Sequence, residues 1–256
     1  MTNLVDWAER GWITDGLLRI GMRRLLLKRL KQDRVNATAA GKADFVESMI
    51  ASDLAVATTD ANHQHYEVPT EVFQRMLGPH LKYSCALFDQ VDTPLAEAEL
   101  AMLRLTAERA QLMAGQRILE LGCGWGSLTL FMAAAYPEST IMAVSNSNSQ
   151  RLYIEAQAQA RGLMNITVMT EDMNTFEPDG QFDRVVSIEM FEHMRNYERL
   201  FDQISSWLVA DGLLFFHIFC HRNQPYFFED ESQEDWMARH FFTGGLMPSL
   251  DLPKQF

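Results

Sequence analysis

The chain has 256 residues, 47% of them apolar, which suits one large domain or one domain with an appendage. A net charge of −12 excludes a general nucleic-acid binder, and no run of eighteen apolar residues is there to span a membrane. Cys85, Cys123 and Cys220 are too few and too widely spaced for a disulfide framework or a zinc pattern, so no metal is expected and the expected compartment is a reducing cytosol. Residues 1–10 are polar and acidic, without the apolar stretch of a signal peptide.

In chain order, three helices come first, over 4–10, 16–31 and 42–52. Within the second, 17–34 carries seven basic residues against one acid, Asp33, a local +6 that leaves −18 for the rest. Leu17, Leu18, Ile20, Leu25, Leu26, Leu27 and Leu30 share the segment. It reads as a basic amphipathic helix, which can pack on its own chain, dock on an acidic partner, form a homodimer contact or lie peripherally on an anionic membrane. Segment 60–92 is loop-rich, with His63, His65, Tyr66, Pro69, Gly78 and Pro79. A helix over 94–113 follows, with Thr93 as its cap and Pro94 in its first turn. Residues 1–92 are thus expected to form a helical extension and covering segment, ahead of an α/β domain over 93–256.

The pattern then alternates. Strands are expected over 117–121, 140–144, 166–169 and 183–188, with helices over 126–135, 148–161 and 197–209. Gly162 ends the second of these helices, and Asp211-Gly212 turns into a fifth strand over 213–220. Short apolar strands alternating with helices predict a parallel, doubly wound sheet, with its ligand outside the carboxyl ends of the strands. The 36 residues after Cys220 hold one expected helix, 232–240, and a Gly244-Gly245 turn. They offer no two further strands. The last strand is therefore covered by another element, or the chain is a C-terminal truncation.

Strand one ends in Glu120-Leu-Gly122-Cys123-Gly124-Trp-Gly126, directly before a helix. Glycines without a Cβ let a ligand lie against the backbone, and the helix N-terminus favours negative charge. Dinucleotide binders need a third glycine one place later and an acid ending strand two. This chain has neither. Glu120 suits the ammonium of an amino-acid-bearing cofactor such as S-adenosylmethionine (SAM), Asn146 and Gln150 suit ribose hydroxyls, and Asp172 suits the adenine amine.

The chain over 65–248 resembles the cyclopropane-fatty-acid synthase superfamily of SAM-dependent enzymes, and within it coclaurine-type N-methyltransferases. The matching pieces are Tyr83-Ser84-Cys85, the 120–126 loop, Ser145-Asn146-Ser147 with Gln150, and Glu189-Met-Phe-Glu192-His193. Asp211-Gly212 through His217 and Phe241-Phe242-Thr243-Gly244-Gly245 extend the likeness. It implies a class I methyltransferase fold. It also implies SAM contacts at Tyr83, Ser84, Gly122, Gly124, Asn146, Gln150, Asp172 and Met173, with Ile188 beside the adenine. Cys123 and Ser145, within these motifs, are counted with them. Relatives of this group continue past position 256, where further strands and active-site residues lie.

If a helical turn opens after strand four, Glu189, Glu192 and His193 share one face. An amine must lose a proton before it attacks a methyl group. Glu192 with His193 suits that work, an ordinary imidazole titrating near ~6.5, and Glu189 suits a cationic nitrogen. The competing reading is helix-start capping and solvated charge. In cyclopropane synthases, residues matching Cys85, Glu192 and His217 help bind a bicarbonate, which keeps a lipid acyl chain open as acceptor. Glu189 favours the amine, since a carboxylate beside an acyl chain is uncompensated. Tyr226, Phe227, Phe228, Trp236, Phe241 and Phe242 wall the substrate or form core, whereas Glu229, Asp230, Glu231, Glu234 and Asp235 read as a solvated loop. Three functions stand: an amine N-methyltransferase, a membrane-lipid alkylase, and an inactive SAM-binding module.

Overall fold

A computed structural model describes residues 4–36, 38–56, 69–230 and 235–256. His63, His65, Tyr66, Glu231, Glu234 and the start of the helix expected over 232–240 lie outside them. Three helices lead, α1 (Leu4–Glu9), α2 (Asp15–Asn36) and α3 (Ala39–Ile50). Then come α4 (Thr70–Met76) and α5 (Leu95–Arg109). The alternating part follows as β1 (Arg117–Leu121), α6 (Ser127–Ala135), β2 (Thr140–Ser145), α7 (Asn148–Arg161), β3 (Ile166–Thr170), β4 (Phe182–Ile188), α8 (Tyr197–Trp207) and β5 (Leu208–His217). A small antiparallel pair, β6 (Tyr226–Phe227) and β7 (Leu246–Met247), flanks α9 (Trp236–His240).

The five-stranded sheet is parallel, in the order β3-β2-β1-β4-β5. Successive residues of a strand face opposite sides, so Ile118 joins one core and Leu119 and Leu121 the other. Leu103, Leu128 and Met132 from α5 and α6 cover the first side. Leu200, Ile204 and Trp207 of α8, with Met49 of α3, cover the second. The strand order reverses between β1 and β4, so the carboxyl ends of these two parallel strands open the crevice where such sheets hold ligands.

Several expected boundaries differ. The cap of α5 is Pro94, while Thr93 Oγ1 accepts from the Gln90 N–H (2.9 Å). This helix stops at Arg109, because Gln111 takes a φ of +52° and the chain turns. The fifth strand begins at Leu208, not 213, and ends at His217. Asp211-Gly212 sits inside it as a bulge, where the register jumps from Phe182↔Leu208 to Arg184↔Leu213. Any Cβ at Gly212 would stand 3.0 Å from both Leu208 Cβ and the Phe182 carbonyl, so the fold-back requires glycine. As expected, β5 is an edge: among the described strands only β4 pairs with it.

Candidate active site

The crevice holds a cavity of about 430 Å³. Its floor is the turn between β1 and α6. Gly122 has a φ of +79°, and a Cβ there would lie 2.7 Å from Met190 Cβ. The N–H groups of Gly122 and Cys123 both donate to the Val144 carbonyl, tying the turn to β2. Glu120 is buried beneath, its Oε2 accepting from the Thr129 hydroxyl (2.5 Å).

One wall is the loop carrying Lys82, Tyr83 and Ser84. Glu99 anchors it from α5: its two buried oxygens accept from the N–H groups of Gly78, His80 and Lys82 (3.1, 3.0 and 3.2 Å). The opposite wall is Ser145, Asn146 and Gln150, where Ser145 Oγ donates to Gln150 Oε1 (2.6 Å). Asp172, Met173 and Ile188 complete the lining, with Cys123 and Gly124. All twelve residues expected at the cofactor therefore surround one cavity.

The cavity has features of a ligand seat. Among the described residues, Gln150 Nε2 and Ser127 Oγ are buried and find no partner, and both residues line it. A buried donor without a partner costs free energy that a polar ligand recovers. Burial holds the Lys82 ammonium below its usual range, against the pull of Cys85 and Glu189. Lys82 and Ser127 were not singled out from sequence. The position of Lys82 directly before Tyr83-Ser84 was the available signal.

At the mouth stand Glu189 and His193. Glu189 has a φ of +52°, a strained left-handed backbone for a carboxylate side chain. Its N–H donates to the His217 carbonyl (2.8 Å), and Oε1 accepts from Cys85 Sγ (3.1 Å) with His217 Nδ1 at 3.8 Å. Cys85, on a second left-handed backbone (φ +56°), and His217 adjoin Glu189 outside the lining proper. Their ligand atoms all lie within 4.8 Å of one another.

Glu192 is a correction. It does not share a face with Glu189 and His193 and does not line the cavity. The reversal at Glu189 takes its side chain off the short 3-10 turn Phe191–His193, so helical spacing no longer relates the three residues. Glu192 is instead fully buried, and its Oε1 accepts from the Phe219 N–H (2.7 Å). Phe241 and Phe242 line the cavity, but Tyr226, Phe227, Phe228 and Trp236 do not. The ring of His193 stacks on Phe242 (5.2 Å between centroids).

Burial pushes the carboxyl of Glu120 up to about 8, although the Thr129 hydroxyl and Lys82 oppose it. The Glu192 carboxyl is likewise pushed up to about 8 by burial, opposed by the Phe219 N–H and reinforced by Glu189. Both hold a proton in the folded protein across a range where the unfolded chain has released it. Stability from these groups is therefore complete below about pH 4.5 and is lost as the pH rises toward about 8. Scanning calorimetry between about pH 5 and about pH 8 should show Tm falling with pH. The Glu192→Gln variant should show a shallower fall, and equal slopes would contradict the burial of that carboxyl.

Sheet order and glycine cradle together match the class I methyltransferase fold. The chain is 36% identical over 250 residues to (S)-coclaurine N-methyltransferase of Thalictrum flavum subsp. glaucum, covering 96% of this chain and 69% of the relative. Cyclopropane-fatty-acyl-phospholipid synthase of Escherichia coli (strain K12) is 32% identical over 189 residues, covering 73% and 46%. A crystal structure of coclaurine N-methyltransferase bound to N-methylheliamine and SAH superposes with a TM-score of 0.91 at 37% identity, covering 99% of this chain and 74% of that one. The chain belongs to the family described as mycolic acid cyclopropane synthetase, whose pattern matches residues 55–254.

Proposed function

We propose that this chain N-methylates a small-molecule amine, with S-adenosylmethionine as the methyl donor. The observation that carries the reading is the Glu189 carboxylate, which lines the same cavity as His193 on a strained left-handed backbone. An acceptor with a cationic nitrogen compensates that charge, whereas an acyl chain leaves it costly. The relatives named N-methyltransferases and the SAH-bound neighbour support the same reading.

The cofactor would supply an electrophilic sulfonium methyl group. The residues present fit it. Glu120 would take the ammonium of its methionine part, and Lys82 with Ser127 the carboxylate. Gln150, with its unpartnered Nε2, and Asn146 would take ribose hydroxyls, while Asp172, Met173 and Ile188 would hold the adenine. Tyr83, Ser84, Ser145 and the turn through Gly122, Cys123 and Gly124 would close around it.

For the amine, Glu189 holds the nitrogen by charge, and His193 removes the proton that the nitrogen carries in water. Positioning supplies much of the rest, ideal cases being worth roughly 7–11 kcal/mol. Glu192, buried and protonated at neutral pH, acts behind His193 by fixing the Phe219 backbone. Among the described residues the three cysteines are free thiols, which fits the cytosol as the compartment.

A second reading, alkylation of a lipid acyl chain, has one observation in its favour: Cys85 and His217 converge beside Glu189. Labelled SAM offered a panel of secondary amines and phospholipid vesicles separates the two. Label in the amine supports N-methylation, and label in the lipid alone overturns it.

A further inference from the structure

We propose that Cys85, Glu189 and His217 form a binding site for a zinc ion. Glu189 Oε1 is the centre of the group: Cys85 Sγ stands 3.1 Å from it and His217 Nδ1 3.8 Å. One ligand atom from each residue lies within 4.8 Å of the other two. Around a tetrahedral zinc ion at ordinary bond lengths, the S, N and O atoms stand roughly 3.4–3.6 Å apart. The two measured separations bracket that range, so small side-chain rotations seat the ion.

The backbone brings the three groups together. β4 and β5 run in parallel with Ile188 paired to His217, and the Glu189 N–H donates to the His217 carbonyl (2.8 Å). Carboxylate and imidazole are thereby carried on adjoining strand ends. Cys85 arrives from the loop that Glu99 anchors through Gly78, His80 and Lys82. Cys85 and Glu189 both take left-handed backbones (φ +56° and +52°), uncommon for residues with a Cβ. Strain of this kind gathers at functional sites, where the surrounding structure holds it in place. The ligands come from three separate elements, so cysteine spacing in the sequence shows no metal pattern.

The chemistry of the set selects the ion. Thiolate, imidazole and carboxylate together suit zinc, whereas magnesium and calcium take oxygen ligands. Three protein ligands leave a fourth position for water. As the S–Zn bond forms, the Cys85 proton passes to solvent, and nothing is oxidised or reduced. The thiolate and the Glu189 carboxylate balance the two charges of the ion. Lys82 interacts with both residues and opposes a cation, but burial favours its neutral form. Cys85 is exposed and Glu189 and His217 are half-buried, so the ion enters from solvent. Zinc bound here takes the carboxylate that the N-methylation reading assigns to the amine nitrogen. On that reading, zinc and the amine exclude each other.

The test uses the full chain and zinc chloride, free of cofactor and amine. Competition with a zinc indicator dye should show one ion bound per chain at micromolar zinc, and cobalt in its place should give the absorption of a metal–thiolate bond. Cys85→Ser and His217→Ala should each weaken binding by more than about tenfold, the loss found even for residues behind a metal ligand. Cys220→Ser should bind as the wild type does. In the unaltered protein, zinc should also slow alkylation of Cys85, located by peptide mass, and leave Cys220 unprotected. That readout holds even where a variant fails to fold. Absence of binding at micromolar zinc overturns the site, as does binding that survives Cys85→Ser, or alkylation of Cys85 at one rate with and without zinc. Zinc that binds without raising the amine KM overturns the competition at Glu189. Binding and protection need no methyl transfer, so their failure is distinct from failure of the N-methylation reading.

Discussion

Replacing His193 with alanine is expected to lower kcat by about a hundred- to ten-thousand-fold, the range typical of a lost general base, and to leave cofactor affinity unchanged. The imidazole lines the same cavity as Glu189, and its ring is held by stacking on Phe242. Phe242 is itself fixed by Phe219, Phe228 and Phe241. A ring so supported is placed for proton transfer without a search at each turnover. The Glu189→Gln variant should behave differently. It keeps the shape but loses the charge that holds the nitrogen, so the amine KM rises more than kcat falls. Steady-state kinetics on both variants checks this, and an unchanged kcat in His193→Ala would remove the imidazole from the chemistry.

The second large effect falls on stability. Phe191→Ala should cost about 3–5 kcal/mol, the usual range for emptying a buried phenyl site. Its ring is fully buried, stacked on Phe216 at 4.7 Å and 9°, with Tyr197 at 5.6 Å and Phe201 at 5.8 Å. At ~2–4 °C per kcal/mol for a chain of this order, Tm should fall by roughly 6–20 °C. Because Phe191 sits between Glu189 and His193 in sequence, the same change loosens the mouth of the cavity. Phe191→Leu should lose less, since most of the space stays filled. Scanning calorimetry measures both, and a fall of only a degree or two for Phe191→Ala would contradict the packing described.

The legible parts of the site were those dictated by the backbone. Gly122 and Gly124 could be read from sequence because a turn between a strand and a helix at a ligand needs residues without a Cβ. Gln150 and Asp172 followed from their places just past β2 and β3, where a parallel sheet exposes its strand ends. Glu192 was misplaced because helical spacing presumes a helix, and Glu189 reverses the backbone just before the turn. Sequence patterns carry no mark for a left-handed carboxylate. Lys82 and Ser127 passed unnoticed because lysine and serine are common, and only burial distinguishes these two. Asp211-Gly212 read as a strand boundary because that pair usually turns the chain, whereas here β4 accommodates it as a bulge.

The central claim is that a nitrogen, brought to Glu189 and His193, receives the methyl group. Its most direct measurement is the fate of a labelled methyl from S-adenosylmethionine incubated with the protein and a secondary amine. The account predicts one N–CH3 group formed for each demethylated cofactor released. Release of demethylated cofactor with the label in water or in acyl chains, and none on nitrogen, would contradict it.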